Sequence, residues 1–210
     1  MSVKMSKQDS AAQGRDRSSQ RGFTMIEIVT VIFIILVISA MAITQMQPAI
    51  ETYRANAAEA QVKGALRQAR ETAVSERRDI VVRFLLNAQG QEEVDLYQVP
   101  EPANIVANTP FLKVPIQGTV FFALYPGAPD TPDIFGDGAP LYFGGAAYAP
   151  GSNVQFQSDG TFADANGNPI NGSIFMCIQG YAPSSRAITI LGTTGRIKSW
   201  TGTGIAWFQQ

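Results

Sequence analysis

An α+β fold is predicted by the amino-acid sequence, with one long N-terminal helix packed on an antiparallel β-sheet domain. Two observations carry this prediction. Residues 23–79 are first apolar and then rich in alanine, which is the composition of a long helix. From Ile80 onward, short alternating or apolar runs are separated by Gly, Pro, Asn and Asp, a pattern typical of antiparallel strands joined by turns.

The segment from Phe23 to Ile43 is long enough and apolar enough to cross a membrane. It carries one charge, Glu27. As a helix rising about 1.5 Å per residue it measures about 31 Å, which matches the hydrocarbon core of a bilayer. A buried strand of this length is rare, and no turn residue interrupts the run. We therefore expect residues 23–43 to be the transmembrane half of the helix.

Residues 1–22 form a polar segment ahead of the apolar run. They contain five basic and two acidic residues. An excess of basic residues beside an apolar segment keeps that side cytoplasmic, so the C-terminal part is expected across the membrane. An ordinary secretory signal has a small-residue cleavage site after its apolar segment, and none follows here.

The junction between these two segments has a specific pattern. Arg21, Gly22 and Phe23 directly precede the apolar run, and Glu27 lies five places after the glycine. This combination resembles the N-terminus of the type IV pilin-like family. The resemblance implies that a prepilin peptidase cuts between Gly22 and Phe23, that Phe23 is then N-methylated, and that residues 1–22 are a cleaved leader.

Glu27 falls on the acidic position of that family's motif. The resemblance implies that its carboxylate meets the new terminal amine of a neighbouring subunit during assembly. A carboxylate inside an apolar segment costs a few kcal/mol in lipid, so a neutralising partner is also expected on physical grounds. The alternative is that Glu27 only snorkels to the membrane edge, because it lies near the helix start.

Residues 44–79 are predicted to be the second half of the helix and to pack on the sheet. Pro48 is expected to kink the helix rather than end it. Apolar positions recur every three or four residues and form one stripe, which consists of Val62, Leu66 or Ala65, Ala69 and Ala73. The charged side chains of the opposite face are expected in solvent, namely Lys63, Arg67, Arg70, Glu71 and Arg77.

Residues 80–210 are predicted to be the antiparallel β domain. The predicted strands are Ile80–Leu86, Glu93–Val99, Val120–Leu124, Leu141–Phe143, Val154–Gln157, Ser173–Gln179, Ala187–Leu191 and Gly195–Trp200. Hairpin turns are expected at Gln89-Gly90 and, as a type I′ turn, at Asn166-Gly167. A loop rich in proline and glycine at about 125–150 is expected to cover one edge of the sheet.

The composition argues against an enzyme. The sequence has no histidine, which removes Ser-His-Asp and Cys-His catalysis and the commonest zinc ligand. Its one cysteine, Cys177, cannot form an internal disulfide. We expect a non-enzymatic protein without a cofactor.

One short stretch has the alternating oxygen ligands of a calcium loop. Asp164, Asn166 and Asn168 supply them, but the glycine stands at the fourth place and Phe175 occupies the twelfth, where a bidentate glutamate belongs. An Asn-Gly hairpin is the preferred interpretation, and no bound metal is expected.

A second stretch, Gly195 to Lys198, approaches the Gly-Arg-x-Arg pattern linked to DNA binding in some FimT-like minor pilins. Arg196 and Lys198 would contact DNA, and Arg186 is the one further basic residue nearby in sequence. Phosphate contact needs several cations to reach a useful affinity. A simple terminal strand is therefore preferred, and nucleic acid is not an expected partner.

Aromatic residues near the C-terminus have two interpretations. Trp200, Trp207 and Phe208 could form a partner surface, but aromatic side chains in a terminal strand more often belong to the core. We favour the core.

Within the family, the chain most resembles minor pseudopilins and minor pilins of the GspH/FimT type. The resemblance rests on residues 66–73, which a strand follows at once, and on a late FQSDGTF, SRAITIL, GRIKSW succession. It implies a minor pseudopilin, a structural and assembly subunit of a type II secretion pseudopilus in protein export. The alternative is a minor type IV pilin in pilus assembly, adhesion, motility or DNA uptake, and a membrane-tethered enzyme is the third possibility.

The same resemblance implies partners and a location. The partners are prepilin peptidase, the inner membrane, and other pilin or pseudopilin subunits bound through the N-terminal helix. The expected location is the bacterial inner membrane, crossed once with the C-terminal domain in the periplasm, and afterwards the pilus or pseudopilus.

Overall fold

The computed structural model describes residues 22–100, 109–116, 118–149 and 152–209. Residues 1–21 of the predicted leader lie outside these ranges. One helix, α1 (Met25–Glu76), is followed by strands that are all paired antiparallel, so the predicted α+β class is confirmed. The chain divides into two compact units, residues 1–44 and 45–210.

The described residues contain eleven strands, numbered in chain order. They are β1 (Asp79–Leu86), β2 (Glu92–Val99), β3 (Leu112–Pro115), β4 (Leu141–Phe143), β5 (Ala146–Ala147), β6 (Val154–Phe156), β7 (Phe162–Asp164), β8 (Gly172–Ile178), β9 (Tyr181–Leu191), β10 (Arg196–Gly202) and β11 (Trp207–Gln209).

These strands form two sheets rather than the one that the sequence suggested. The first has the order β3-β2-β1-β6-β7, and the second has the order β11-β10-β9-β8-β4-β5. The long pairs β1–β2 and β8–β9 are hairpins and form the centres of the sheets, whereas the short strands lie toward the edges.

The helix of the second unit packs through one alanine-rich stripe. Its buried residues are Ala55, Ala58, Val62, Ala65, Leu66, Ala69 and Ala73, which include every position predicted for the stripe. Pro48 lies inside α1 and does not end it. The helix ends where Arg77 adopts a left-handed conformation (φ 52°) and the N–H of Arg78 bonds to the carbonyl of Ala73 at 3.2 Å.

The main core gathers apolar side chains from α1 and from both sheets. Its largest fully buried members include Leu66, Ile80, Leu96, Phe156, Phe162, Ile174, Ile188 and Ile190. A smaller cluster of Phe175, Ala187 and Trp200, with Leu124 and Trp207 against it, lies on the other face of the second sheet. The second sheet is therefore covered on both faces.

The predicted strand Val120–Leu124 is wrong. Within it, Phe121 forms a single antiparallel bridge with Cys177. The backbone N–H of each residue donates to the carbonyl of the other, with an N···O distance of 3.1 Å in both hydrogen bonds. The short strands β3, β5, β7 and β11 were missed because two to four residues give too little alternation to recognise.

The loop predicted at about 125–150 is described up to residue 149. It contains β4 and β5, which extend the second sheet beyond β8. Its earlier part lies over the outer face of this sheet rather than along an edge, because Asp133 bonds to Thr189 and Lys198 and the carbonyl of Pro129 accepts a hydrogen bond from Trp207.

Both predicted turns form, but one prediction of turn type is wrong. Gly90 (φ 74°) lies in the turn between β1 and β2. At Asn166-Gly167 only the glycine has a positive φ, whereas a type I′ turn needs two such residues. The carboxylate of Asp164 accepts hydrogen bonds from the backbone N–H groups of Asn166 and Asn168 at 2.9 Å each, and this side-chain turn replaces the type I′ geometry.

Candidate functional site

Thr24 fixes the start of α1. Its Oγ1 accepts a hydrogen bond from the backbone N–H of Glu27 at 3.3 Å, and its carbonyl accepts from Glu27 and Ile28. A threonine cap with glutamate three residues later is the sequence pattern of a capping box, although only the bond to the threonine hydroxyl forms here. This local signal for the helix start was not recognised from the sequence. The bond between Gly22 and Phe23 thus lies outside the helix, in exposed chain.

Glu27 lies in the first turn of α1, where the positive end of the helix dipole favours a carboxylate. Its side chain is exposed, and no hydrogen bond or ion pair joins its carboxylate to another residue in the described part of the chain. Phe23, Glu27 and Val31 line one shallow recess. The carboxylate is therefore available to a cation from outside the chain.

The apolar side chains that follow Glu27 are uncovered. Phe33 is 66% exposed, Leu36 is 62% exposed and Ile43 is 64% exposed. Among the described residues, α1 is the one helix long and apolar enough to cross a membrane, by length and composition. Apolar surface of this extent needs either lipid or other helices around it.

A comparison with protein families identifies this N-terminal region. Residues 17–43 match the prokaryotic N-terminal methylation motif, which covers the Gly22-Phe23 junction, Glu27 and the apolar run. The chain is therefore pilin-like at its N-terminus, and the resemblance predicted from the sequence is confirmed. A comparison with curated proteins found no match.

Solved structures of two proteins were found to be similar. The type IV minor pilin FimU of Pseudomonas aeruginosa is 21% identical, with a TM-score of 0.42 over 69% of this chain and 90% of FimU. A second crystal form of FimU gives 19% identity and a TM-score of 0.43. The minor pseudopilin EpsH of the Vibrio cholerae Type 2 Secretion System is 14% identical, with a TM-score of 0.38 over 67% of this chain and 90% of EpsH.

Of the three residues considered as possible DNA contacts, Arg186 is buried. Its Nε and Nη2 donate to Asn56 Oδ1 at 2.9 and 2.7 Å, and its Nη1 donates to the carbonyls of Pro183 and Ser185 at 2.9 and 2.7 Å. Burial lowers the pKa of Arg186, and the charge of Glu59 partly opposes that shift. Its guanidinium is fully engaged inside the fold and does not face a ligand.

The partner of Arg186 is a buried carboxylate on α1. Glu59 Oε2 lies 3.5 Å from Arg186 Nε. Burial raises the pKa of Glu59, while a hydrogen bond from Ser199 and the charges of Arg186 and Lys63 partly oppose the shift. Lys63 Nζ also donates to Ser199 Oγ at 2.6 Å, so the prediction that Lys63 is solvated is wrong. These groups fix α1 on β9 and β10.

Lys198 is neutralised within the chain. Its Nζ lies 2.5 Å from Asp133 Oδ1 and 5.3 Å from the centre of the Trp200 ring. Thr189 Oγ1 donates to Asp133 Oδ2 at 2.6 Å and accepts from Trp200 Nε1 at 2.9 Å. Arg196 alone of the three is exposed, so the structure does not bring the three candidate DNA contacts together on one surface.

Among the calcium candidates, the carboxylate oxygens of Asp164 already accept hydrogen bonds within the turn. Asp164 accepts hydrogen bonds from Asn166 and Asn168, which lower its pKa, the contribution of Asn168 being the larger. No group of three or more His, Cys, Asp or Glu suited to a metal occurs among the described residues.

The three C-terminal aromatic residues divide between core and surface. Trp200 is buried, and Trp207 is half-buried with its ring 5.8 Å from that of Phe175. Phe208 is 59% exposed, so the preference for the core is wrong for that residue. It points away from Trp207 because neighbours in a strand alternate between faces.

Proposed function

We propose that this chain is a structural subunit that assembles into a pilin-like filament and has no enzymatic activity. The observation that carries the proposal is the unpartnered carboxylate of Glu27 at the head of an uncovered apolar helix, directly behind the Gly22-Phe23 junction. Before assembly, residues 23–43 cross the inner membrane with the sheets in the periplasm. Afterwards, helices of other subunits replace the lipid.

Glu27 supplies the recognition step in this proposal. Cleavage after Gly22 creates an amine on Phe23, and the amine of one subunit pairs with the Glu27 carboxylate of a neighbour. In a low-dielectric surrounding an unmatched charge is expensive, whereas a matched pair fixes the position of one subunit against the next. Prepilin peptidase and other pilin or pseudopilin subunits are therefore the proposed partners.

For the type of filament, we propose a minor pseudopilin of a type II secretion pseudopilus. The second candidate is a minor type IV pilin, and the exposed Arg196 in the Gly-Arg-x-Lys stretch favours it. Deletion of the gene in the source bacterium separates the two. Loss of secreted proteins with intact pili supports the first candidate, whereas loss of pili, motility or DNA uptake with intact secretion supports the second.

Processing is tested by mass spectrometry of the membrane-bound protein. We expect an N-terminus at Phe23 that carries a methyl group, and the full leader in cells that lack prepilin peptidase. A protein that keeps Met1 in peptidase-containing cells, or that begins after residue 40, would contradict the proposal.

A further inference from the structure

A cleft of about 470 Å³ lies between the C-terminal part of α1 and the turn that joins β9 to β10. We name it the arginine cleft, and it is lined by Arg67, Arg70, Glu71, Leu191, Arg196 and Ile197. Three of these side chains are guanidinium groups, and one is a carboxylate. The cleft therefore has an excess of two positive charges.

Arg70 is held in place at the wall of the cleft. Its Nε donates to the carbonyl of Gly160 at 3.3 Å. Gly160 (φ 87°) and Gly195 (φ 59°) both have left-handed conformations. A Cβ on Gly195 would overlap the Gly160 carbonyl and lie 2.9 Å from Arg70 Nε. The two glycines thus leave room for the Arg70 side chain, which is exposed and is oriented toward the cleft wall by this hydrogen bond.

The other two guanidinium groups have no partner within the described residues. Arg67 and Arg196 are exposed and form neither a side-chain hydrogen bond nor an ion pair there. Glu71 lies one turn after Arg67 on the helix but forms no ion pair with either arginine. Their charges are therefore not satisfied inside this part of the chain.

We propose that the arginine cleft binds an acidic segment of a partner protein. A guanidinium presents two parallel N–H donors that match a carboxylate, so the cleft suits one or two carboxylates close together. Leu191 and Ile197 are half-buried at its wall and offer apolar contact to a side chain between them. This inference does not depend on the proposed assembly function.

Protein is favoured over nucleic acid because the cations are confined to one compact cleft. Nucleic-acid binding gains affinity from cations spread along several phosphates. Here the neighbouring Lys198 is paired with Asp133, and Arg186 is buried. The surface beyond Arg196 on β10 therefore adds no free cation for a second phosphate.

The test uses the full-length chain in a nonionic detergent and measures fluorescence anisotropy of a labelled peptide. The probe has a Glu-Leu-Glu centre, and the control peptide has Gln-Leu-Gln. We expect saturable binding of the probe with a dissociation constant between about 10 μM and 1 mM, which weakens as salt is added, and no binding of the control peptide. Equal binding of the two peptides would overturn the proposal.

Three variants locate the binding. Arg67→Gln and Arg196→Gln should each weaken probe binding by about threefold to tenfold, because each removes a charged donor. Arg77→Gln removes an exposed arginine just beyond the end of α1 and should leave binding unchanged. Circular dichroism confirms that each variant is folded.

Two further results would contradict the proposal. Equal weakening by Arg77→Gln and the cleft variants would show that only net charge matters. Unlabelled peptide and a single-stranded oligonucleotide are also compared as competitors of the probe. If the oligonucleotide displaces the probe at the lower concentration, and if its binding requires Arg67 and Arg196, the cleft binds nucleic acid instead.

Discussion

Replacement of Arg186 by methionine is expected to destabilise the second compact unit, residues 45–210, strongly. The change keeps an unbranched side chain but removes the guanidinium, so Asn56 Oδ1 and two backbone carbonyls lose their donors. The carboxylate of Glu59 then remains buried without its ion-pair partner, and only the smaller effect of the Lys63 charge remains. Removing one member of a buried ion pair costs about 3–5 kcal/mol. With a urea dependence of about 2 kcal/mol per molar, the unfolding midpoint falls by about 2 M.

The assay is urea unfolding of the full-length chain in detergent, followed by the fluorescence of Trp200 and Trp207. The double variant Arg186→Met with Glu59→Gln should recover part of the loss, because the unmatched charge is gone. Arg196→Met is the matched control, since that arginine is exposed, and it should change the free energy of unfolding by less than about 0.5 kcal/mol.

Falling pH should also reduce the loss caused by Arg186→Met. Burial already raises the pKa of Glu59 above the ordinary range of a glutamate, and loss of Arg186 removes a charge that opposes this rise. When folding raises the pKa of a carboxyl group, the group contributes stability at any pH below its pKa in the unfolded chain. This contribution is lost as the pH rises through its pKa in the folded protein. The variant should therefore be nearer to wild type at pH 4.5 than at pH 8. Equal midpoints for Arg186→Met and Arg196→Met would refute the structural role of Arg186.

Three further outcomes are expected. Burial, followed by the neighbouring carboxyl of Glu93, raises the pKa of Asp95 from 3.8 to about 6, so its stabilising contribution is lost as pH rises through about 6. Asp95→Asn should therefore raise the urea midpoint above that of wild type, and the increase should be larger at pH 7.5 than at pH 4. An equal increase at the two pH values would contradict this expectation. Leu66→Ala should cost about 2–5 kcal/mol because Leu66 is fully buried, whereas exposed Gln68→Ala should cost little in the same assay. Deletion of residues 1–50 should give a soluble monomer with its strands intact, checked by gel filtration and circular dichroism, and an insoluble or unfolded product would contradict the assignment of residues 23–43 as the only anchor.

The helix and the centres of both sheets were predictable from local pattern. The stripe through Val62 and Leu66 has the helical period. The strands β1 and β2 are eight residues long and contain apolar and β-branched residues that a turn separates. The failures have a different physical origin. Strands as short as β5 and β7 are held by neighbouring strands and not by their own sequence, and Val120–Leu124 has strand-like residues but pairs through Phe121 alone.

The same limit applies to charged residues. Glu27 could be proposed from the sequence because it is isolated in an apolar run, which is a local signal. The sequence did not predict that Arg186 would be buried against Glu59, or that Asp133 would reach Lys198 from 65 residues away. It also did not predict that Arg67 and Arg70 would lie beside Arg196. Such contacts depend on tertiary packing, and no spacing within the chain encodes them.

In the proposed assembly, the charge of Glu27 joins this chain to its neighbours, and the recovery of Glu27 variants in filaments tests this pairing. Processed protein is recovered from membranes and from sheared filaments of cells that express wild type, Glu27→Gln, Glu27→Lys or the control Glu76→Gln. We expect all four in membranes at similar levels, because Glu27 has no partner among the described residues. In filaments, Glu27→Gln should fall, Glu27→Lys should fall further because two cations would meet, and Glu76→Gln should match wild type. Normal recovery of both Glu27 variants in filaments would contradict charge pairing and would leave assembly to helix packing alone.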